Sequence, residues 1–161
     1  MRATRLQQVE WQTLPIFPSS VGRILARLPV YPPSLTLVLA LNRLLLPLLE
    51  KEVLRAWRGK RFCVQVKDAG LSFFFGLDAT GFVACRATLA VDLCISANAY
   101  DFLLLAAREE DPDTLFFSRR LLMEGDTELG LLVKNTLDAL EPPAWVGRLL
   151  QSILTRMDQA I

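Results

Sequence analysis

Histidine is absent from the 161-residue sequence. That removes imidazole acid–base catalysis and with it the Ser-His and Cys-His nucleophile arrangements. Cysteine is scarce as well: Cys63, Cys85 and Cys94 are odd in number, widely spaced and form no CxxC pair. Three thiols without an imidazole fall short of a four-ligand structural zinc site, and an iron–sulfur cluster would lack its fourth thiolate. All three thiols are expected to pack as small apolar residues in strands of a reduced cytoplasmic protein. There is no GxGxxG and no phosphate-binding loop ending in Gly-Lys-Ser/Thr. Long apolar runs are missing too. The longest uncharged stretch, residues 28–42, contains Pro29, Pro32 and Pro33. It is shorter than the roughly 18–20 apolar residues of a membrane helix. The first 20 residues lack the continuous apolar core of a signal peptide. The expectation is a protein that is no enzyme and needs neither cofactor nor metal. It is expected to be cytoplasmic, with peripheral contact at the inner membrane.

What the chain does have is apolar mass. Hydrophobic residues make up 52% and charged residues only 22%, a heavy apolar load for a domain of this length. Membrane residence would explain it, and so would a soluble fold that lines an internal cavity as well as a core. The net charge of +1 hides an asymmetry. Residues 1–60 hold nine Lys/Arg against Glu10, Glu50 and Glu52, whereas the remainder holds nine basic and fourteen acidic groups. A basic, apolar N-terminal third suits an anionic membrane surface. Nucleic acid is a poorer fit, because the cations are spread among leucines rather than clustered with aromatics.

Along the chain, prolines break up residues 1–33, where a short helix over residues 21–28 is expected with Ser19 or Ser20 as its cap. Ser34 can cap a long Leu-rich helix running to Trp57, bent or divided at Pro47 and ended at Gly59. Residues 61–66 then alternate apolar with polar and predict a strand. Residues 71–77, 82–87 and 90–96 predict three more, with Asp78-Ala79-Thr80-Gly81 as a hairpin turn between the first two of them. Consecutive antiparallel strands of this kind form a meander. Within residues 71–77, alternation puts Phe73 and Phe75 on one face and Phe74 on the other, leaving open which face meets the helices. Asn98 can cap a helix over residues 99–108.

Residues 111–141 read DPDTLFFSRRLLMEGDTELGLLVKNTLDALE. Asp111-Pro112-Asp113 is a turn signature, and Leu121-Leu122-Met123 is a very short strand closed by Gly125, which is free to take positive φ. Arg119 and Arg120 could grip an anionic headgroup, although solvated surface charge is the simpler role. Asp126 predicts an N-cap for a helix from Thr127 to about Leu140, stopped by Pro142-Pro143. Residues 144–157 are strongly amphipathic. They make either a packing helix or, over a cavity, a lid. Helix, three to four strands, helix, strand, helix is an α+β order.

That order resembles the sterol carrier protein type 2 lipid-binding domain. The likeness covers roughly residues 35–140 and is closest over AAREEDPDTLFFSRRLLMEGDTELGLLVKNTLDA. There it is similar to the subgroup that acts as accessory factors in bacterial ubiquinone biosynthesis. The resemblance implies a mixed, mostly antiparallel sheet of about five strands covered by helices, with a hydrophobic tunnel between them. It divides the chain into an N-terminal extension, residues 1–33, and a lipid-binding domain, residues 34–161, whose lid is the helix at 144–157. Candidate lining is Leu41, Leu45 and Leu48 on the long helix, Phe73 and Phe75 on the sheet, and Leu132, Leu137 and Leu140 on the later helix. Trp145, Leu149 and Ile153 would form the lid. The implied ligands are polyprenyl-phenol or quinone intermediates, or phospholipid. The implied partner is an iron–sulfur ubiquinone hydroxylase pair of the UbiU–UbiV type, acting without oxygen.

Overall fold

The computed structural model describes residues 31–87 and 90–160. The helix expected over residues 21–28 and its Ser19 or Ser20 cap lie outside them. Three strands, β1 (Arg61–Val66), β2 (Leu71–Leu77) and β3 (Phe82–Ala84), form an antiparallel meander. The β2–β3 turn is tied by Asp78, whose Oδ1 accepts from the Thr80 amide at 2.7 Å and the Thr80 hydroxyl at 2.6 Å. The fourth strand, β4 (Leu93–Ala97), does not extend the meander. It returns to the free side of β1 and pairs with it in parallel, and β5 (Leu122–Gly125) then pairs antiparallel with β4. The resulting order is β3-β2-β1-β4-β5. A parallel pair needs a crossover, and here the β2–β3 hairpin and the chain after it supply one. β3 stops at Ala84, three residues before the predicted end.

Asp92 fastens both ends of this return. Its carboxylate accepts from the Arg61 amide at 2.8 Å, its own amide donates to the Arg61 carbonyl at 2.8 Å, and its carbonyl accepts from the Asp126 amide at 2.8 Å. Gly125 has φ 125°, and a Cβ there would collide with the Asp92 carbonyl.

Strand register sorts the side chains. Ala84, Phe75, Phe62, Leu93 and Gly125 are successive cross-strand partners, so they share one face. Residues two positions away share it as well: Leu77, Phe73, Val64, Ile95 and Met123. This face is wholly apolar, and the helices pack on it. Trp57 lies 5.6 Å from Phe62, and Phe62 stacks on Phe75 at 5.5 Å. Phe82 closes the group, 5.9 Å from Phe75. Phe73 and Phe75 are therefore on the helix side and Phe74 is on the other, with Arg61, Cys63, Gln65, Cys94 and Glu124. Cys63 is buried within that second face. Burial pushes its thiol up to about 12, reinforced by the hydrogen bond and charge of the adjacent Cys94. It stays a protonated, poorly nucleophilic thiol at neutral pH.

The long helix predicted from Ser34 to Trp57 is in four pieces. First comes α1 (Tyr31–Ala40), followed by a π-helical turn (Leu41–Leu45), a 3₁₀ turn (Leu46–Leu48) holding Pro47, and α2 (Lys51–Trp57). Ser34 is inside α1 rather than at its cap. Its fully buried hydroxyl accepts from the Phe74 amide at 3.0 Å, a donor on β2 beyond the reach of short β3. Asn42, on the π-helical turn, completes the same edge. Its side-chain amide donates to the Phe82 carbonyl at 2.9 Å, and its Oδ1 accepts from the Phe82 amide at 2.8 Å. One side chain thus stands in for a missing strand and covers the sheet edge. Gly81, with φ 135°, leaves room for it, because a Cβ would lie 2.7 Å from Asn42 Oδ1.

Four helices follow: α3 (Ala99–Ala107), α4 (Pro112–Phe117), α5 (Thr127–Ala139) and α6 (Ala144–Gln159). Asn98 makes no side-chain cap on α3. Asp68 substitutes from across the fold, accepting from the Ala99 amide at 2.9 Å. The Asp111-Pro112-Asp113 turn proves to be the start of α4. Asp111 accepts from the Thr114 amide at 2.8 Å, and Pro112 sits where a helix tolerates it. Asp126 caps α5 as predicted, accepting from the Leu129 amide at 3.0 Å. At the other end of α5, Arg108 donates to the carbonyls of Leu137, Asp138 and Leu140 at 3.2, 2.9 and 2.6 Å. A cation placed there answers the helix dipole. Arg120 is no solvated charge either. It donates to Asp101 at 2.5 Å and, from one nitrogen, to both Glu110 oxygens at 2.8 Å. Asp101 is buried in the first turn of α3, so this network locks α3 to the chain entering β5. Arg119, by contrast, is exposed.

Two outcomes are expected. Asn42→Ala strands the Phe82 amide and carbonyl at a half-buried edge and should cost about 1–3 kcal/mol in urea unfolding. A cost under about 0.5 kcal/mol would remove Asn42 from this role. The carboxyls of Asp78 and Asp111 are held below their ordinary range, first by the Thr80 and Thr114 hydroxyls and then by backbone amides. A depressed folded value gives stability that is present above the unfolded value and lost as pH falls through the folded one. Stability should therefore drop below about pH 4. Asp111→Asn, which keeps the cap, should flatten that decline in urea midpoints measured across the acid range.

Candidate functional site

The apolar face of the sheet and the helices over it enclose the region in which the predicted lining residues converge. α5 reaches it because Leu129, Val133 and Thr136 recur at helical spacing and are buried. Gly130 brings this helix close to β4, since a Cβ there would touch Leu93 at 3.4 Å. α2 contributes Trp57, which is buried, with Val53 and Leu54 half-buried beside it.

The predicted residues fall into three groups. Phe75 is a buried member of the aromatic cluster. Leu41, Leu45, Leu132, Leu137 and Leu140 are half-buried and packed against the core from its rim, and Phe73 is half-buried on the sheet. Leu48, Trp145, Leu149 and Ile153 are exposed at 37%, 56%, 53% and 37%. The structure thus brings α5, the π-helical turn and the sheet together around one apolar region. It places the three proposed lid residues on the outer side of α6. That helix turns Leu154 inward, with Leu150 and Met157 half-buried, and packs chiefly on α3. Tyr100 donates to Asp158 at 3.4 Å and Gln151 to Glu109 at 2.9 Å to hold it.

Several residues of this region escaped sequence reading. Val53, Leu54 and Trp57 have the i, i+1, i+4 spacing of a helix face. Phe102 and Leu105, also packed on the core, have i, i+3 spacing. The periodic signal was present in both, yet it does not tell rim from core. The indole Nε1 of Trp57 is a different matter. It is buried and has no hydrogen-bond partner among the described residues, which costs about 1–3 kcal/mol if left unmade. No sequence pattern announces an unpartnered donor.

Chemically, the region offers apolar walls, the rings of Phe62, Phe73, Phe75 and Phe82, and one indole N–H. Among the described residues no group of three or more Cys, Asp or Glu side chains is arranged to hold a metal ion. No described helix is long and apolar enough to cross a membrane.

Comparison with known proteins places this geometry. Residues 40–138 match the SCP-2 sterol transfer family. The chain is 47% identical over 83 residues to the ubiquinone biosynthesis accessory factor UbiT of Escherichia coli K12, an alignment that covers 52% of this chain and 47% of that protein. The UbiT of Escherichia coli O157:H7 matches with the same figures. The chain therefore spans about half the length of the curated relatives it matches. Among solved structures, the UbiJ-SCP2 ubiquinone synthesis protein superposes with a TM-score of 0.54 at 20% identity, covering 67% of this chain and 95% of that one. At that identity the likeness concerns fold alone. An α+β sheet of this order, helices on its apolar face and a family match over well over half of the residues lead to one conclusion: the chain belongs to the SCP-2 sterol transfer family.

Proposed function

We propose that this protein is a non-catalytic lipid-binding accessory factor. It binds polyprenylated intermediates of ubiquinone biosynthesis and presents them for oxygen-independent ring hydroxylation by an iron–sulfur hydroxylase pair. The observation that carries the proposal is the continuous apolar sheet face, roofed by helices whose rim residues are only half-buried. The family supports lipid as the ligand class, and the relatives named for ubiquinone biosynthesis support the choice of cargo. In this reading a hydrophobic tunnel opens between the sheet and α5. Leu41, Leu45, Leu132, Leu137 and Leu140 shift from the core's rim to line it, with Phe73 and Phe75 as its floor. Leu48 stands at its mouth, and α6, bearing Trp145, Leu149 and Ile153, is the lid. The domain division at residue 34 belongs to the same proposal.

The energetics are adequate. Burial of apolar surface contributes roughly 25 cal/mol per Å², so enclosing a long prenyl tail yields many kcal/mol, part of which offsets the ordering of the tail. The ring end of such a ligand carries oxygens. The Trp57 N–H, which has no partner among the described residues and lies among Phe62, Phe75 and Phe82, is the donor that a ring oxygen would satisfy.

Mass spectrometry of lipid extracted from protein purified out of a quinone-producing bacterium should find prenylated phenols or quinones. Phospholipid alone would replace this cargo with the alternative one, and a lipid-free protein would end the proposal. Leu132→Gln with Leu137→Gln should reduce retained lipid about tenfold or more while the thermal transition remains cooperative. Trp57→Phe keeps the ring packing and removes the donor. It should weaken binding of a prenylated phenol about fivefold or more, yet leave binding of the oxygen-free prenyl hydrocarbon unchanged. Equal loss for both ligands would remove the hydrogen bond from the account.

A further inference from the structure

The outer face of α6 is left over once the fold and the cargo region are accounted for. Trp145, Leu149 and Ile153 follow one another at i, i+4 and i+8, and all three are exposed. Ser152 and Arg156 lie in the same stripe, and Arg148 flanks it. Both arginines are exposed, and neither joins an ion pair among the described residues. The helix's carboxylate, Asp158, is turned toward Tyr100 on α3. The exposed stripe therefore combines large apolar side chains with cations and carries no acid.

We infer that this face of α6 docks on the surface of an anionic bilayer. The inference rests on the lipid-binding reading above, because a factor that handles a membrane-dissolved lipid has to meet the bilayer. The charge pattern selects the partner. Apolar side chains at helical spacing beside unpaired arginines match an interface of acyl chains under anionic headgroups, where such helices lie flat. Tryptophan is at home at that depth, with its ring among the chains and its N–H toward water. An arginine keeps its stem on the apolar surface and its guanidinium at the phosphates. α6 follows Pro142-Pro143 and packs chiefly on α3, so docking of its outer face leaves the sheet and α5 undisturbed. It also sets the proposed lid against the membrane that holds the cargo.

The test uses the full chain and sedimentation with two kinds of vesicle. One is phosphatidylcholine alone, and the other contains roughly a quarter phosphatidylglycerol. The wild type should prefer the anionic vesicles, and the preference should fade with salt. Replacing Trp145, Leu149 and Ile153 together by Ser should lower the partition coefficient about tenfold or more. The pair Arg148→Gln and Arg156→Gln should abolish most of the preference for anionic vesicles, again about tenfold. Undiminished binding by the triple variant overturns the inference and moves the contact elsewhere, for example to the basic N-terminal third. So does a wild-type dimer that becomes monomeric in the triple variant, since a second copy would then cover the face. Should the triple variant fail to fold, the arginine pair decides, and a retained anionic preference overturns the inference. Lipid extracted from each variant separates this inference from the cargo proposal. A wild type that binds vesicles but carries no prenylated lipid fails only as a carrier, and a triple variant that carries lipid but misses vesicles fails only at docking.

Discussion

The register of β1 with its two neighbours is the constraint on which the rest of the molecule depends. Phe62 is paired with Phe75 on one side and with Leu93 on the other. Because side chains alternate along a strand, that single alignment assigns every position of the sheet to a face. A shift of one residue would bring Arg61 and Cys63 into the aromatic cluster and turn Phe62 away from Trp57. The apolar face must then be covered, and α2 and α5 cover it with Trp57, Leu129 and Val133. On the second face Arg61, Gln65 and Glu124 are exposed, whereas Cys63 and Ser96 are buried.

Edges and ends of this sheet are held by polar side chains rather than by more backbone. Asn42 pairs the free outer edge of β3 and Ser34 pairs the Phe74 amide of β2, and Asp92 ties the start of β1 to the end of β5. Arg120, Asp101 and Glu110 lock α3 to the chain that enters β5. Buried or half-buried, such pairs stabilise mainly by fixing geometry, because desolvating the charges offsets much of their attraction. What they fix is the spacing between helices and sheet. Within that frame the rim leucines are only half-buried. A perimeter of polar contacts thus surrounds an apolar interior.

Local reading succeeded where a residue acts on its own neighbours. Asp126 caps α5 three residues on, Pro47 divides the long helix, and Asp78 organises the β2–β3 turn. It failed where the partner is distant in sequence. Ser34 looks like a cap because it precedes an apolar run, yet its acceptor oxygen serves β2, 40 residues away. Asn98 looks like a cap too, and Asp68 takes its place. Arg120 read as a surface charge because nothing local pairs with it, whereas its partners lie 10 and 19 residues earlier. The parallel docking of β4 was hidden for the same reason, since alternation marks a strand without naming its neighbour.

By itself the sequence determined the element types, most of their limits, the apolar surplus and the absence of imidazole chemistry. Those properties follow from short-range sterics, from periodicity and from composition. Only the tertiary structure decided which face of the sheet meets the helices, because periodicity is the same for either face. It alone brought Leu41, Leu132 and Phe75 to one region. It also left Trp57 with a buried donor and turned Trp145, Leu149 and Ile153 outward. Whether an apolar residue becomes core, rim or exposed stripe is settled by what packs against it, and that depends on long-range register.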